Sequence, residues 1–202
     1  MNRSFLFLGT LLLLNSCISI SSKKEPVISV VRAISTSDLN LNTASEEELF
    51  NIACFNKDTA LVKTAVVRMT SQDNLFHVAC FNDEVTIRKI AVDKLNEESN
   101  LFHIASFDKD AAVKKLAVSK MSDQSNLFHI ASFDKDIATR KIAVSKLNDQ
   151  ANLFHIASFD KDPATRKLAV SKIKDQLHLT HIIAIEKDNE IKELALNQLQ
   201  HN

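Results

Sequence analysis

The segment NLFHIASFDKD stands at residues 100–110, 126–136 and 152–162, the same eleven residues at a fixed step of 26. Aligned on its leucine, the register extends to Leu49, Leu75, Leu101, Leu127, Leu153 and Leu179 with no insertion, giving six units that start near 48, 74, 100, 126, 152 and 178. A period of this length is the signature of stacked units, none of which can bury its apolar face alone. A chain built this way grows by adding layers, so its core must form between neighbours.

The secondary structure of one unit follows from spacing and composition. The chain has a single glycine, Gly9, and two prolines, Pro26 and Pro163, and it lacks Trp and Tyr. Helices joined by short polar connections fit this composition better than a sheet does. In residues 122–147, Leu127, Phe128, Ile130 and Ala131 fall on one arc of a helical wheel, which predicts a first helix over 123–133. Ser122 is expected to cap it, as Thr70, Asn96 and Asn148 would in other units. A second helix is predicted over 137–147, with Ala138, Ile142, Ala143 and Leu147 as its buried stripe. Its start is marked most clearly by Asp162 followed by Pro163, a capping acid before proline at the first helical position. Two phenylalanines per unit, such as Phe102 with Phe107 and Phe128 with Phe133, are expected to dominate the core, and the sixth unit has Thr180 and Ile185 instead.

The fold class read from this pattern is all-α, an α-solenoid of six two-helix repeats. "FDKDIATRKIAVSKL" resembles the second half of HEAT-like repeats, and "LFHIASFDKDIATRKIAV" is also similar to the variant leucine-rich repeat of bacteria. The resemblance spans residues 48–202 and implies a right-handed superhelix; it says little of function, because such repeats host many tasks. Asp58, Glu84, Asp110, Asp136, Asp162 and Asp188 share one column, and Arg88, Lys114, Arg140, Arg166 and Lys192 stand four residues later. In HEAT-like repeats such columns bond between neighbouring units, so Asp110, Asp136 and Asp162 with Arg88, Arg140 and Arg166 are the implied inter-repeat ladder. The first unit departs from the pattern, with Asn51 for His and Val62 for the base.

His77, His103, His129, His155 and His181 form a further column on a face of the first helix opposite Leu127 and Ala131. One reading makes each histidine a polar contact to the adjacent repeat. The others make the column a recognition surface or a metal or haem ladder, although helices about 8–10 Å apart let consecutive imidazoles bridge only in pairs. Cys54 and Cys80 occupy equivalent positions, where later units have Ser106, Ser132 and Ser158; a disulfide between them would need an approach closer than usual helix spacing. No phosphate-binding glycine loop, paired carboxylates or nucleophile with its base stands out, and the many aspartates suit helix starts. No catalytic residue, metal ligand set or cofactor is therefore assigned. With 25 basic and 25 acidic residues the chain has no net field to recruit a polyanion, and nucleic acid is not an expected partner.

The amino terminus reads differently. Arg3 precedes an apolar run from Phe5 to Leu14, too short to span a bilayer, as in a secretory signal. The sequence Leu14-Asn15-Ser16-Cys17 resembles the lipobox of bacterial lipoproteins, which implies cleavage before Cys17 and acylation of that residue. Ile18 in place of Asp implies, in that family, the outer membrane of a Gram-negative cell. The expected organisation is a signal peptide over 1–16, a lipidated cysteine with tether and cap over 17–44, and the solenoid over 45–202. Six layers would span roughly 50–60 Å. The function expected is that of a non-enzymatic scaffold in the cell envelope, held to the membrane by its lipid anchor and binding a protein or peptide; the rival is a metal- or haem-binding protein that uses the histidine column.

Overall fold

Short polar connectors, closed by a side chain of their own or of the preceding layer, let the chain turn between twelve helices with no glycine among the described residues. The computed structural model describes residues 41–201, and the expected signal peptide, Cys17 and most of the tether lie outside them. Among the described residues there are twelve α-helices and no strand. The first helices of the six pairs are α1 (Glu46–Phe55), α3 (Gln72–Phe81), α5 (Glu98–Phe107), α7 (Gln124–Phe133), α9 (Gln150–Phe159) and α11 (Gln176–Ile185). The second helices are α2 (Thr59–Arg68), α4 (Val85–Lys94), α6 (Ala111–Lys120), α8 (Ile137–Lys146), α10 (Pro163–Val170) and α12 (Asn189–His201). Each pair packs on itself and on its neighbours in order, the architecture of an α-helical repeat solenoid. The second helices of successive layers approach one another more closely than the first helices do, so they line the inner side of the stack.

Each first helix ends in a residue with extended backbone, φ −80° at Asn56 and −62° at Asp108, rather than in a left-handed one. Its side chain then accepts the N–H two residues on, as Asp108 does from Asp110 at 2.7 Å and Asp134 from Asp136 at 2.8 Å. Asn and Asp close such turns without a positive φ, which is why glycine is dispensable here. At the third residue of the connector the chain enters the second helix, and Asp58, Asp110, Asp136 and Asp162 cap it. Asp136 and Asp162 also accept the hydroxyls of Thr139 and Thr165, both at 2.7 Å. That hydroxyl bond holds each carboxyl below the usual aspartate range. Glu84 occupies the same place without a side-chain bond to the helix start.

The caps of the first helices lie one residue later than the sequence suggested. Ser45, Ser71, Asp123, Asp149 and Asp175 accept the orphan amides, and Ser45 forms a reciprocal capping box with Glu48. The residues expected in that role serve the layer below. The N–H groups of Thr70 and Ser122 donate to Glu46 and Glu98, and those of Asn96 and Asn148 to Gln72 and Gln124. Gln72 and Gln124 also donate to the carbonyls of Lys94 and Lys146, so one side chain clamps both sides of a connector.

The core is aliphatic. Leu127, Ile130 and Ala131 from α7, with Ala143, Val144 and Leu147 from α8 and its end, are at most 2% exposed, and the same columns are buried through the stack. The phenylalanines do not dominate it, contrary to the sequence reading. Phe55, Phe81, Phe107, Phe133 and Phe159 are 70–74% exposed, and Phe102 and Phe128 are half-buried. Two residues five apart on a helix point about 140° from each other, so both rings of one helix cannot share a stripe; the i, i+3, i+4 set of Leu, Ile and Ala takes it. In the second helix Ala138 is exposed and Ile142 half-buried, while Thr139 is fully buried with its hydroxyl satisfied by Asp136.

Candidate functional site

Layers are joined by a buried ionic ladder whose bases are those the sequence singled out, but whose acids are different. Arg88 makes a two-pronged bond to Asp108 of the next layer at 2.9 and 3.1 Å. Arg140 does the same with Asp160 at 2.8 and 3.0 Å, and Arg166 with Glu186 at 2.8 and 3.2 Å. Lys114 pairs with Asp134. The free prong of each arginine donates to carbonyls of its own connector: Asn82 and Asp83 for Arg88, Asp134 for Arg140, Asp160 for Arg166. Asp110, Asp136 and Asp162, the implied acids, are helix caps instead. A residue four back on the same helix start lies beside its own amides, whereas the connector acid of the next layer faces the guanidinium.

A sequence signal for the true partner exists. The connector column reads Asn56, Asn82, Asp108, Asp134, Asp160 and Glu186, and it turns acidic only where the preceding layer supplies a base. Val62, which has no charge to offer, is followed by Asn82 in the next layer. Burial raises the Glu186 carboxyl, but the bonds from Arg166 and from the Asp188 and Lys187 amides outweigh it and hold the group below the usual range. The bond to Glu186 in turn raises the Arg166 guanidinium further.

A third polar ladder runs between second helices. The Lys94 ammonium donates to the Val67 carbonyl at 2.8 Å, and Lys120, Lys146 and Lys172 reach the carbonyls of Asp93, Ser119 and Ser145. Cations thus sit on the last carbonyls of each neighbouring helix, where the helix dipole favours them. In the last layer Gln198 takes the place of lysine, donating to Ser171 at 2.8 Å.

The histidine column lies among rings. His77, His103, His129 and His155 each meet the half-buried phenylalanine of the preceding layer edge-on, with centroids 5.2–5.4 Å apart for Phe50, Phe76, Phe102 and Phe128. Each also touches the exposed phenylalanine four residues on, at 4.8–5.0 Å. His181 meets Phe154 edge-on, and His178 stacks flat on the same ring at 4.6 Å. The contact to the adjacent repeat is therefore aromatic. Burial lowers the His77 imidazole. Among the described residues no group of three or more His, Cys, Asp or Glu side chains converges on a point where a metal ion could be held.

No disulfide joins Cys54 and Cys80. Burial, helped by the Asp108 charge, pushes the Cys80 thiol up to about 11. Cys80 is accordingly expected to resist iodoacetamide at pH 8 and to alkylate only as the pH nears 11; rapid alkylation of Cys80 at pH 8, read by peptide mass, would contradict its burial.

Two depressions open between layers. One, of about 490 Å³, lies among the second helices and is bordered by Val67, Lys89, Ile90, Asp93, Lys94 and Leu116. The other, of about 270 Å³, sits between the first two layers near Asn56, Val62 and Asn82, where the ionic ladder is absent. No helix among the described residues is long and apolar enough to cross a membrane. No family model, curated protein or solved structure matches the chain.

Proposed function

We propose that this chain is a non-enzymatic lipoprotein of the bacterial cell envelope, in which a right-handed, HEAT-like solenoid acts as a scaffold that binds a protein or peptide. The observation that carries the reading is the inner surface of the second helices. There the layers repeat in register and an open depression of about 490 Å³ offers an apolar floor, Val67, Ile90 and Leu116, beside Lys89 and Lys94. Extended inner surfaces of this kind are what stacked repeats supply to partners. The polar groups between layers are largely occupied by the ladders, so side chains on the surface, rather than a catalytic set, are what the fold has to offer. The histidine column, flanked by phenyl rings on both sides, belongs to the stacking.

Capture from envelope extract at physiological salt tests this. The chain is expected to retain a discrete partner that Val67→Glu with Lys89→Glu releases and His129→Gln with His155→Gln does not. Absence of specific capture, or release by the histidine pair alone, overturns the assignment to the inner surface. Zinc, copper or haem that is retained by the chain and lost with the histidine pair would move the function to ligand binding. Attachment is tested separately: Cys17→Ser is expected to abolish acyl labelling, and persistent labelling would reject lipidation at Cys17.

A further inference from the structure

The edge formed by the connectors between first and second helices carries an apolar side chain in every layer. Phe55, Phe81, Phe107, Phe133 and Phe159 are 70–74% exposed and Ile185 is 43% exposed. At about 8–10 Å per layer the row extends about 40–50 Å. Rings this exposed stand out from the edge, and Phe81 also borders the depression between the first two layers. A contiguous row of exposed large apolar residues marks an interaction site more often than chance.

The charges beside the row specify its partner. Lys57, Lys109, Lys135, Lys161 and Lys187, each two residues beyond the apolar side chain, are exposed. The acids of the same connectors are turned inward. Asp108, Asp134, Asp160 and Glu186 are consumed by Arg88, Lys114, Arg140 and Arg166 with side chains 3–6% exposed. Asp110, Asp136 and Asp162 are half-buried and bond to helix amides, whose partial positive charge offsets theirs in part. Layers one and two depart from this, with Asp58, Asp83 and Glu84 exposed. From layer three to layer five each connector presents one exposed phenylalanine and one exposed lysine, and in layer six Ile185 and Lys187 are followed by the exposed Glu190, which pairs with Lys167.

We propose that this edge, centred on Phe107, Phe133, Phe159 and Ile185 with Lys109, Lys135, Lys161 and Lys187, docks on an anionic lipid surface. Apolar side chains enter the boundary of the acyl region while neighbouring lysines meet anionic headgroups, the combination that binds interfacial segments to membranes. Docking here leaves the second-helix face open, so the inference does not rest on the scaffold reading.

Hydroxyl-radical footprinting of the full chain tests it, because it reads the edge itself and not attachment through the amino terminus. Vesicles of phosphatidylglycerol and phosphatidylcholine are expected to protect Phe107, Phe133 and Phe159 from oxidation while leaving Val67 on the opposite helices unprotected. Phosphatidylcholine alone should protect them several-fold less. Lys109→Gln, Lys135→Gln and Lys161→Gln together should raise the lipid concentration for half-protection at least about tenfold. Phe107→Ser, Phe133→Ser and Phe159→Ser should reduce protection of Ile185 with no loss of helical circular dichroism. Unchanged oxidation with anionic vesicles overturns the proposal, as does equal protection of Val67. Protection that depends on protein concentration and needs no vesicles would overturn it in favour of self-association.

Discussion

Leu127→Ala is expected to lower the stability of the stack by about 3 kcal/mol, whereas Phe133→Ala, the removal of a larger side chain from the same helix, should change it by less than about 0.5 kcal/mol. Leu127 is 0% exposed and fills the space between α7, α8 and their neighbours. Truncating it removes both the transfer energy of its methyl groups and the contacts around the void. Phe133 is 71% exposed and touches chiefly His129. Urea unfolding followed by circular dichroism separates the two. A Phe133→Ala variant as damaged as Leu127→Ala would mean that the outer rings carry the stack.

Asp160→Ala should be nearly as damaging as the core truncation, with a loss of about 3 kcal/mol, although Asp160 belongs to a connector. Its carboxylate takes both prongs of Arg140 and closes its own turn through the Asp162 amide at 2.8 Å. The side chains of Arg140 and Asp160 are 11% and 4% exposed, so removing the acid leaves a guanidinium with little water to replace it. Arg140→Met combined with Asp160→Asn should recover most of the loss, since asparagine still closes the turn, as Asn82 does opposite Val62. An Asp160→Ala variant with an unchanged unfolding midpoint would show that the ladder only orders the layers. Acid should act in the same direction at Glu186. Its folded carboxyl is lowered, so the stabilisation is full above the ordinary carboxylate range and fades as the pH falls through the folded value.

The repeat and its helices were legible because they depend on local rules. The 26-residue step, the two helices per unit and the cap at Asp162 before Pro163 follow from apolar spacing and from a short acceptor at a helix start. The shift of the first-helix cap from Ser122 to Asp123 was not legible, because both residues can accept an amide. Glu98 of the preceding layer takes both the amide and the hydroxyl of Ser122, and Asp123 is left to accept the helix-start amide of Asn126. The phenylalanines misled for a related reason. Hydrophobicity alone ranks a ring above alanine, but close packing of helices between layers has room for Ala131 and Ala143 on the shared stripe and leaves Phe133 outside.

By itself the sequence determined the period, the helix pairing and the bases of the inter-layer ladder, because each of these is written within one unit and then repeated. Only the tertiary structure decided the acids those bases meet, the rings that flank each histidine and the side of the stack on which the exposed phenylalanines stand. These depend on contacts between layers, about 20 residues apart for Arg140 and Asp160 and set by how one helix pair leans on the next. A pattern within one unit cannot express that geometry, since the same column can point at its own helix or at its neighbour until the layers are stacked.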